Sequence, residues 1–464
     1  MSPHRIIHPL KVKKIKQQFN NEIKRVLVFT RHPGPRLRYV LNYLQHVYQD
    51  LTFNEVSDLS VYLDHQGPSV QHGQESLKVD ELRIPLSAAF KVPYIELGQH
   101  LPSIETEFLK ALETPLSVDL FAQVFWQLSR MEEYFSIEKD KHQRYPAVAS
   151  MLYRHGQLKF PVVDHWIDQF IELLKEKTSL QYEIKPESLA WSVGVDVDQF
   201  YKHAYKPFFK QSIGSLLEIC KGRWTEVRQR LAIYFGFKQD PFDCFEKLLQ
   251  MGIPRKQLIF FLLSGGSTSF DKNHPLKTPV VSKLLTKLDK DSTLAIHPSY
   301  AGGMNESVLL EECLLWGSVI GRKPELSRQH YIRISLPGTY RLLEKAGIHH
   351  DYSMGYPEIP GFRAGTTKTF RWYDLEEDRE TTLMIHPFVA MDRTYLSYLN
   401  KGPKESLENL FQLMSICHRY RGVFHVVWHN SSFDFEGEWK GWEGVFERML
   451  DQLKEHKTVL PKML

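Results

Sequence analysis

The chain has few cysteines, and they lie far apart. Its 464 residues include only four, at Cys220, Cys244, Cys313 and Cys417, with no CxxC pair among them. Thiolate zinc sites and disulfide frameworks both use closely or regularly spaced cysteines. Neither is therefore predicted, and we expect reduced, mostly buried thiols.

A long apolar segment is also missing. No run of about 18 apolar residues occurs, which is the length that a membrane-spanning helix needs, so no integral membrane segment is expected. Residues 1–25 are basic and polar and lack the apolar stretch of a signal peptide. The expectation is a cytoplasmic protein.

Neither sign of charge is in large excess. The 59 Lys and Arg residues against 55 Asp and Glu residues give a net charge of +4, which is too small to indicate a nucleic-acid partner. Hydrophobic residues make up 42% and charged residues 25%, as in an ordinary globular protein. The length alone predicts two to three domains.

The stretch WSVGVDVDQFYKH, residues 191–203, is the most informative one present. Its apolar, Val-rich first half predicts a buried strand. Asp196 and Asp198 are two residues apart, so on a strand they face the same way. Two such acids repel each other at the end of a buried strand, and a metal ion or a bound proton would relieve the repulsion. The alternative is a pair of solvated acids in a strand-to-helix turn.

The first part of the chain predicts an N-terminal α/β domain. A strand over 25–30 and helices over 36–48, 119–134 and 163–178 are indicated by their apolar patterns. The polar segment DKHQRYP, residues 140–146, is either a salt-bridged turn or a ligand site. A polar, Pro-containing linker then places a domain boundary near residue 187, which divides the chain into domains 1–187 and 188–464.

The second part alternates apolar strands with helices. Strands are predicted over 257–264, 292–296, 330–334, 382–385 and 422–428, and helices over 278–289, 305–320, 338–346 and 405–420. This alternation predicts a mostly parallel sheet, and six or seven such units would close into a barrel whose chemistry lies at the C-terminal strand ends. Asp196, Asp198, His297 and His429 fall at such ends. Periodicity alone does not distinguish a barrel from an open sheet.

These four side chains are suited to hydrolysis with a metal. Carboxylates and imidazoles bind zinc or a similar divalent ion. Such an ion lowers the pKa of a bound water from about 16 toward about 7 and polarises a carbonyl. A neighbouring carboxylate can take the proton of the water, and a histidine can protonate the leaving atom. The set fits metal-assisted hydrolysis of an amide or ester.

Several motifs also resemble those of a known family. Four motifs resemble, in order and spacing, those of polysaccharide deacetylases of the NodB-homology class. They are GVDVD at 194–198, AIHPSY at 295–300, SRQHYIR at 327–333 and WHN at 428–430. The resemblance covers residues 191 to about 435. One branch of this family carries an extra N-terminal α/β domain. Three stretches of this chain are similar to sequences of that branch: DYSMGY…GFRAGT within 351–366, LSRMEEYF and DKHQRYP.

The resemblance implies a fold and an activity. The family has a distorted (β/α)7-type barrel, here preceded by the smaller N-terminal α/β domain, and removes an acetyl group from an N-acetylated sugar or polysaccharide precursor with a divalent metal, for which zinc is the expected ion. By position, Asp196 resembles the catalytic base and His429 the general acid. Arg328 resembles the arginine that orients the base, and Asp351 matches the acid that holds the histidine.

The metal ligands implied by the resemblance include one departure. Asp198 and His297 match the metal-binding acid and the first metal histidine. The family has a second histidine four residues after the first, where this chain has Ala301. His330 is the substitute that we predict. Zinc sites need about three protein ligands, so the site depends on it.

Three further residues are candidates for binding the substrate: Arg363, Tyr300 and Trp428. The guanidinium of Arg363 suits a carboxylate or phosphate, although an internal salt bridge is the alternative. An N-acetylated sugar or glycan is the expected partner. Two other functions stay open, namely an amidohydrolase acting on a small non-sugar amide, and a carbohydrate-binding or scaffold protein on an inactive deacetylase-like barrel.

Overall fold

The computed structural model describes residues 24–178, 180–183, 189–206, 208–265 and 268–455. The chain divides into two compact units, each built from several segments. The first unit combines Met1–Ser129, His165–Ile184 and Leu375–Glu380, and the second combines Arg130–Asp164, Lys185–Asp374 and Thr381–Leu464. The predicted boundary near residue 187 lies outside the described residues and stays a prediction.

The first unit is a four-stranded sheet with helices. Its strands are β1 Lys24–Thr30, β2 Leu51–Val56, β3 Ser69–His72 and β4 Leu82–Ile84, all parallel, in the order β2-β1-β3-β4. Its helices are Pro35–Val47, Leu59–Asp64, Tyr94–Leu97, Leu101–Glu113, Leu120–Ser129 and most of Val162–Lys177, which spans the division between the units. Val26 and Val28 of β1 and Val40 and Leu44 of the first helix are buried, so apolar faces of strand and helix form the core.

The second unit has one nine-stranded sheet. Its strands are β5 Ala190–Val197, β6 Leu258–Leu263, β7 Thr293–His297, β8 Leu326–Ser327, β9 His350–Asp351, β10 Phe370–Asp374, β11 Arg379–Ile385, β12 Ala390–Met391 and β13 Val423–His429. They lie in the order β10-β11-β9-β8-β7-β6-β5-β13-β12, and neighbours from β11 to β12 are parallel. The predicted α/β class with a mostly parallel sheet is confirmed. The order is linear between β10 and β12, so barrel closure is not confirmed and stays a prediction.

Helices connect these strands. They are Met131–Phe135, Met151–Arg154, Phe208–Cys220, Trp224–Tyr234, Phe245–Gln250, Pro279–Asp291, Glu306–Ile320, Gly338–Ala346, Pro403–Arg419 and Glu443–Glu455, with short turns of 3-10 helix at Ala147–Ala149, Gly302–Met304, His330–Ile332 and Asn430–Phe433 and of π-helix at Thr394–Tyr398. In the part of the chain that the structure describes, no helix has both the length and the apolar character needed to cross a bilayer.

Two predicted elements differ from the structure. The helix predicted over 119–134 ends at Ser129, because Arg130 adopts a left-handed conformation with φ 54°, and a second helix follows from Met131. The strand predicted over 330–334 is wrong. The short strand β8 lies earlier, and His330 begins a 3-10 turn whose next residue, Tyr331, has φ 60°.

Buried polar contacts hold Arg130–Asp164 within the second unit. The Glu133 carboxylate accepts two hydrogen bonds from the Arg363 guanidinium, at 3.0 and 2.6 Å, and one from Arg130 Nε at 2.9 Å. Asp164 accepts hydrogen bonds from the Thr366 hydroxyl at 2.6 Å and the backbone of residue 367 at 2.8 Å. Burial acts to raise the pKa of Glu133, but the two guanidinium groups outweigh it and lower that pKa.

The role predicted for Arg363 is therefore corrected. Its guanidinium is buried, paired with Glu133 and stacked over the Tyr356 ring, 4.8 Å from the ring centroid. The side chain forms the internal salt bridge that was the alternative. A long-range pair of this kind leaves no local pattern in the sequence.

Candidate active site

The catalytic candidates meet at one edge of the nine-stranded sheet. Asp196 lies near the end of β5 and Asp198 directly after it, while His297 and His429 are the last residues of β7 and β13. Asp196 pairs in register with His429 of the neighbouring strand. The carboxyl ends of parallel strands lie at the same edge, and this brings residues distant in sequence together.

Three of these side chains form a compact donor cluster. One ligand atom each from Asp198, His297 and His330 lies within 4.8 Å of the other two. Asp198 Oδ1 is 3.4 Å from His297 Nε2 and 3.6 Å from His330 Nε2. His330 thus stands beside the two predicted ligands, although it comes from a turn rather than from the predicted strand.

Hydrogen bonds at the far side of each imidazole set its orientation. His297 Nδ1 lies 2.5 Å from the Arg328 carbonyl oxygen, and His330 Nδ1 lies 2.9 Å from Asp271 Oδ1. With the proton on Nδ1 donated outward, each Nε2 presents a lone pair toward Asp198. Backbone carbonyls and carboxylates commonly hold metal-binding histidines in this way.

The donor set fits a divalent cation. Asp198 Oδ1 is buried and has no hydrogen-bond partner among the described residues, which is uncommon for a buried carboxylate oxygen. Burial acts to lower the pKa of His330, but Asp198 and Asp271 outweigh it and raise the pKa to about 9. The cluster thus attracts positive charge. Two imidazoles and one carboxylate are ligands that zinc and similar ions accept.

A buried arginine holds the second carboxylate. Arg328 Nη1 donates to Asp196 Oδ1 at 2.6 Å, and Arg328 Nε donates to the carbonyl of Tyr352 at 3.1 Å. Its Nη2 contacts the Nε2 of the buried His425. The guanidinium carbon also lies 3.9 Å from the centroid of the Phe261 ring. One oxygen of Asp196 is thereby fixed.

Gly194 makes room for this arginine, and we expect Gly194→Ala to destabilise the fold. An added Cβ would lie 2.5 Å from both Nη atoms of Arg328, so the buried guanidinium would have to move away from Asp196. Overpacking and disruption of a buried ion pair together cost about 3 kcal/mol or more. Urea unfolding measures the loss. Gly317→Ala is the control, because its nearest neighbour would be 4.0 Å away; equal stability of both variants would contradict the expectation.

Asp392, rather than Asp351, holds the candidate general acid. Asp392 Oδ1 is 2.7 Å from His429 Nδ1, and its Oδ2 accepts the backbone N–H of His429 at 2.7 Å. The prediction for Asp351 is wrong, because its carboxylate accepts hydrogen bonds from Ser327 and Ser353 instead. Burial acts to lower the pKa of His429, but Asp392 and then Asp198 outweigh it and raise the pKa to about 9.

A cavity of about 580 Å³ opens over this cluster. Its lining includes Asp196, Asp198 and the three histidines His297, His330 and His429. Around them stand aromatic and basic side chains, among them Tyr331, Tyr398, Lys141, Arg144 and Arg393. The cavity is therefore polar and cationic at its rim, with aromatic surface beside it.

Two predicted substrate-binding residues lie elsewhere. The Tyr300 ring stacks on Phe270 at 4.1 Å between centroids, and its backbone N–H donates to Asp271 at 2.9 Å. Trp428 is buried in the core, 5.2 Å from Phe446 between ring centroids. On β13, Trp428 alternates with His429 and so points to the opposite face. Neither side chain lines the cavity.

The segment 140–146 forms the salt-bridged turn, and part of it also lines the cavity. Asp140 accepts hydrogen bonds from the backbone of His142 and Arg144 and from Arg144 Nε, at 2.7–2.9 Å, as a salt-bridged turn would. Lys141, His142 and Arg144 also line the cavity. The residues that sequence reasoning missed are Asp271, which lies on a loop, and Asp392, which directly follows the two-residue strand β12. A strand this short leaves no periodic pattern.

The comparisons with known proteins cover parts of the chain. A model for a family of unknown function, DUF7033, matches residues 26–179. A crystal structure from Mycobacterium smegmatis, provisionally described as a polysaccharide deacetylase, is similar over 59% of this chain and 87% of its own, with 12% identity and a TM-score of 0.38. With an identity and a TM-score this low, the similarity gives no information about function. No curated protein matches the chain.

Proposed function

We propose that the protein is a metal-dependent hydrolase that removes an acetyl group from an N-acetylated sugar. The observation that carries the proposal is the donor cluster of Asp198, His297 and His330. It lies in one cavity with His429 and with Asp196, whose carboxylate is held from behind by the buried Arg328. Ligand, base and acid candidates are thus within reach of one bound molecule, as metal-assisted hydrolysis requires.

Each side chain has a distinct task in this proposal. When bound, the ion supplies Lewis acidity for a water and for the acetyl carbonyl. Asp196 takes the proton of the attacking water, while Arg328 fixes its orientation through Oδ1. His429, held through Nδ1 by Asp392, directs Nε2 into the site and gives a proton to the leaving nitrogen.

The proposed substrate class rests on the resemblance of the sequence motifs to those of deacetylases and on the size and lining of the cavity. A volume of about 580 Å³ is in the range of small-molecule sites. Tyr331 and Tyr398 line it, and aromatic side chains of this kind suit the apolar faces of a sugar. An inactive carbohydrate-binding barrel was the alternative because Ala301 replaces a ligand histidine. His330 supports the hydrolase instead, because it supplies a third donor.

The test is release of acetate from N-acetylglucosamine oligomers and from small acetamides. Protein stripped with a chelator is compared before and after addition of Zn²⁺ or Co²⁺. We expect acetate from the sugar only when metal is restored. Hydrolysis of simple amides but of no sugar would indicate an amidohydrolase. Sugar binding without metal or hydrolysis would indicate a binding protein.

A further inference from the structure

The helices Phe208–Cys220 and Trp224–Tyr234 and their flanking loops expose an unusual amount of apolar surface. Among the described residues, 24 large hydrophobic side chains are exposed, and ten of them lie between residues 205 and 237. We call this surface the 205–237 patch and define it by its most exposed members: Tyr205, Phe209, Ile213, Leu216, Trp224 and Phe235, with Phe237 at its end. Concentrated exposed apolar surface of this kind marks an interaction site.

The patch is built along helix faces. Phe209, Ile213 and Leu216 follow one another at spacings of four and three residues, which places them on one side of the first helix. On the second helix Val227 and Ile233 are buried, while Trp224 and Leu231 face solvent. The second helix thus buries one set of apolar side chains and presents another outward.

Positive charge accompanies the apolar side chains. Residues 205–238 contain seven Lys and Arg residues and two Glu residues, a net charge of 7 − 2 = +5, whereas the whole chain carries 59 − 55 = +4. The rest of the chain is therefore slightly negative. Within the segment, Glu218 lies 3.4 Å from Arg223, while Arg228 is exposed on the second helix.

We propose that the 205–237 patch binds the surface of an anionic lipid bilayer. Aromatic and aliphatic side chains on helices of 13 and 11 residues suit insertion at the headgroup boundary. Surrounding Lys and Arg residues are attracted to anionic headgroups. A second copy of the chain fits less well, because two segments 205–238, each of net charge +5, would face each other.

One side chain makes the proposal directly measurable. Of the nine tryptophans, Trp224 is 60% exposed, and the other eight are at most 9% exposed. A blue shift of tryptophan emission on adding vesicles therefore reports on Trp224. We expect this shift with phosphatidylglycerol-containing vesicles and none with pure phosphatidylcholine. Trp224→Phe should remove the shift while co-sedimentation with the vesicles persists.

Substitutions distinguish vesicle binding by the 205–237 patch from non-specific adsorption of the protein to vesicles. Phe209→Ser, Leu216→Ser and Phe235→Ser together should lower vesicle binding more than tenfold, and Arg228→Glu alone roughly tenfold at low salt. Leu314→Ser is the matched control, because Leu314 is an exposed leucine on the helix Glu306–Ile320, and it should bind as the parent does. Circular dichroism checks that each variant is folded.

Several outcomes would overturn the proposal. These are no binding of the full chain to anionic vesicles, equal binding to neutral ones, and a folded triple variant that binds unchanged. A fourth is a dimer in analytical ultracentrifugation that the triple variant abolishes, without vesicle binding by the parent, because this would identify a second copy as the occupant.

Discussion

Asp198→Ala should lose the bound metal, whereas Asp196→Asn should keep the metal and lose hydrolysis. Asp198 Oδ1 faces both imidazole nitrogens and has no hydrogen-bond partner among the residues that the structure describes, so its removal deletes a ligand. Asp196 is bound to Arg328 instead, and an amide there keeps the shape but cannot accept a proton. Loss of a general base lowers kcat by roughly 10²- to 10⁴-fold. Metal analysis and acetate release measure the two effects.

A control and a folding check complete this experiment. Asp289→Ala removes a carboxylate that pairs with Arg322 on the surface, and it should change neither metal content nor rate. Asp196→Asn leaves the buried Arg328 charge without its carboxylate, so its melting temperature has to be compared with that of the parent. Equal loss of metal in both site variants would contradict the division of roles between the two acids.

His330→Ala should lower metal affinity about 100-fold or more with little loss of fold stability. His330 is the third donor of the cluster, and Ala301 offers no ligand atom in its place. Asp271→Asn should lower the affinity by roughly 10- to 100-fold, because Asp271 orients the imidazole through Nδ1. Competition with a chromophoric chelator gives the metal dissociation constants.

The matched control is His386→Ala. His386 is a half-buried histidine in the second unit, but its Nε2 lies 3.0 Å from His350 Nδ1, outside the donor cluster. This variant should lower the melting temperature without changing metal affinity. The same pattern in His330→Ala would show that His330 is a core histidine, and the proposed third ligand would then be wrong.

Four residues of the candidate site could be predicted from the sequence, because the C-terminal ends of parallel strands lie at one edge of a sheet. Asp196, Asp198, His297 and His429 follow apolar runs, and the ends of such runs meet at one edge of a sheet. His330 was predicted as a metal ligand because an imidazole is a good zinc donor, although the strand predicted around it was wrong. The turn there depends on left-handed conformations at Tyr331 and Ile332, which neither residue type signals.

Partners of the site residues were harder to predict. Asp392 holds His429 and Asp271 holds His330, but these pairs are separated by 37 and 59 residues of sequence. Asp271 lies on a loop, and Asp392 follows a strand of only two residues. Asp351 was chosen for its resemblance to the acid that holds the histidine in the family, yet its carboxylate is satisfied by neighbouring serines. Hydrogen-bond partners of this kind are set by the tertiary fold, and residue spacing does not encode them.

The contacts of Arg130–Asp164 determine where the protein can be divided. A fragment that begins at residue 188, as the sequence boundary suggests, would lack Glu133 and leave the Arg363 guanidinium buried without a carboxylate. Breaking a buried pair in this way costs roughly 3–5 kcal/mol, a large part of the stability of a typical domain. The fragment would also lose Lys141 and Arg144 from the cavity wall. For expression or domain grafting, the smallest piece that keeps the site intact therefore has to start before Arg130.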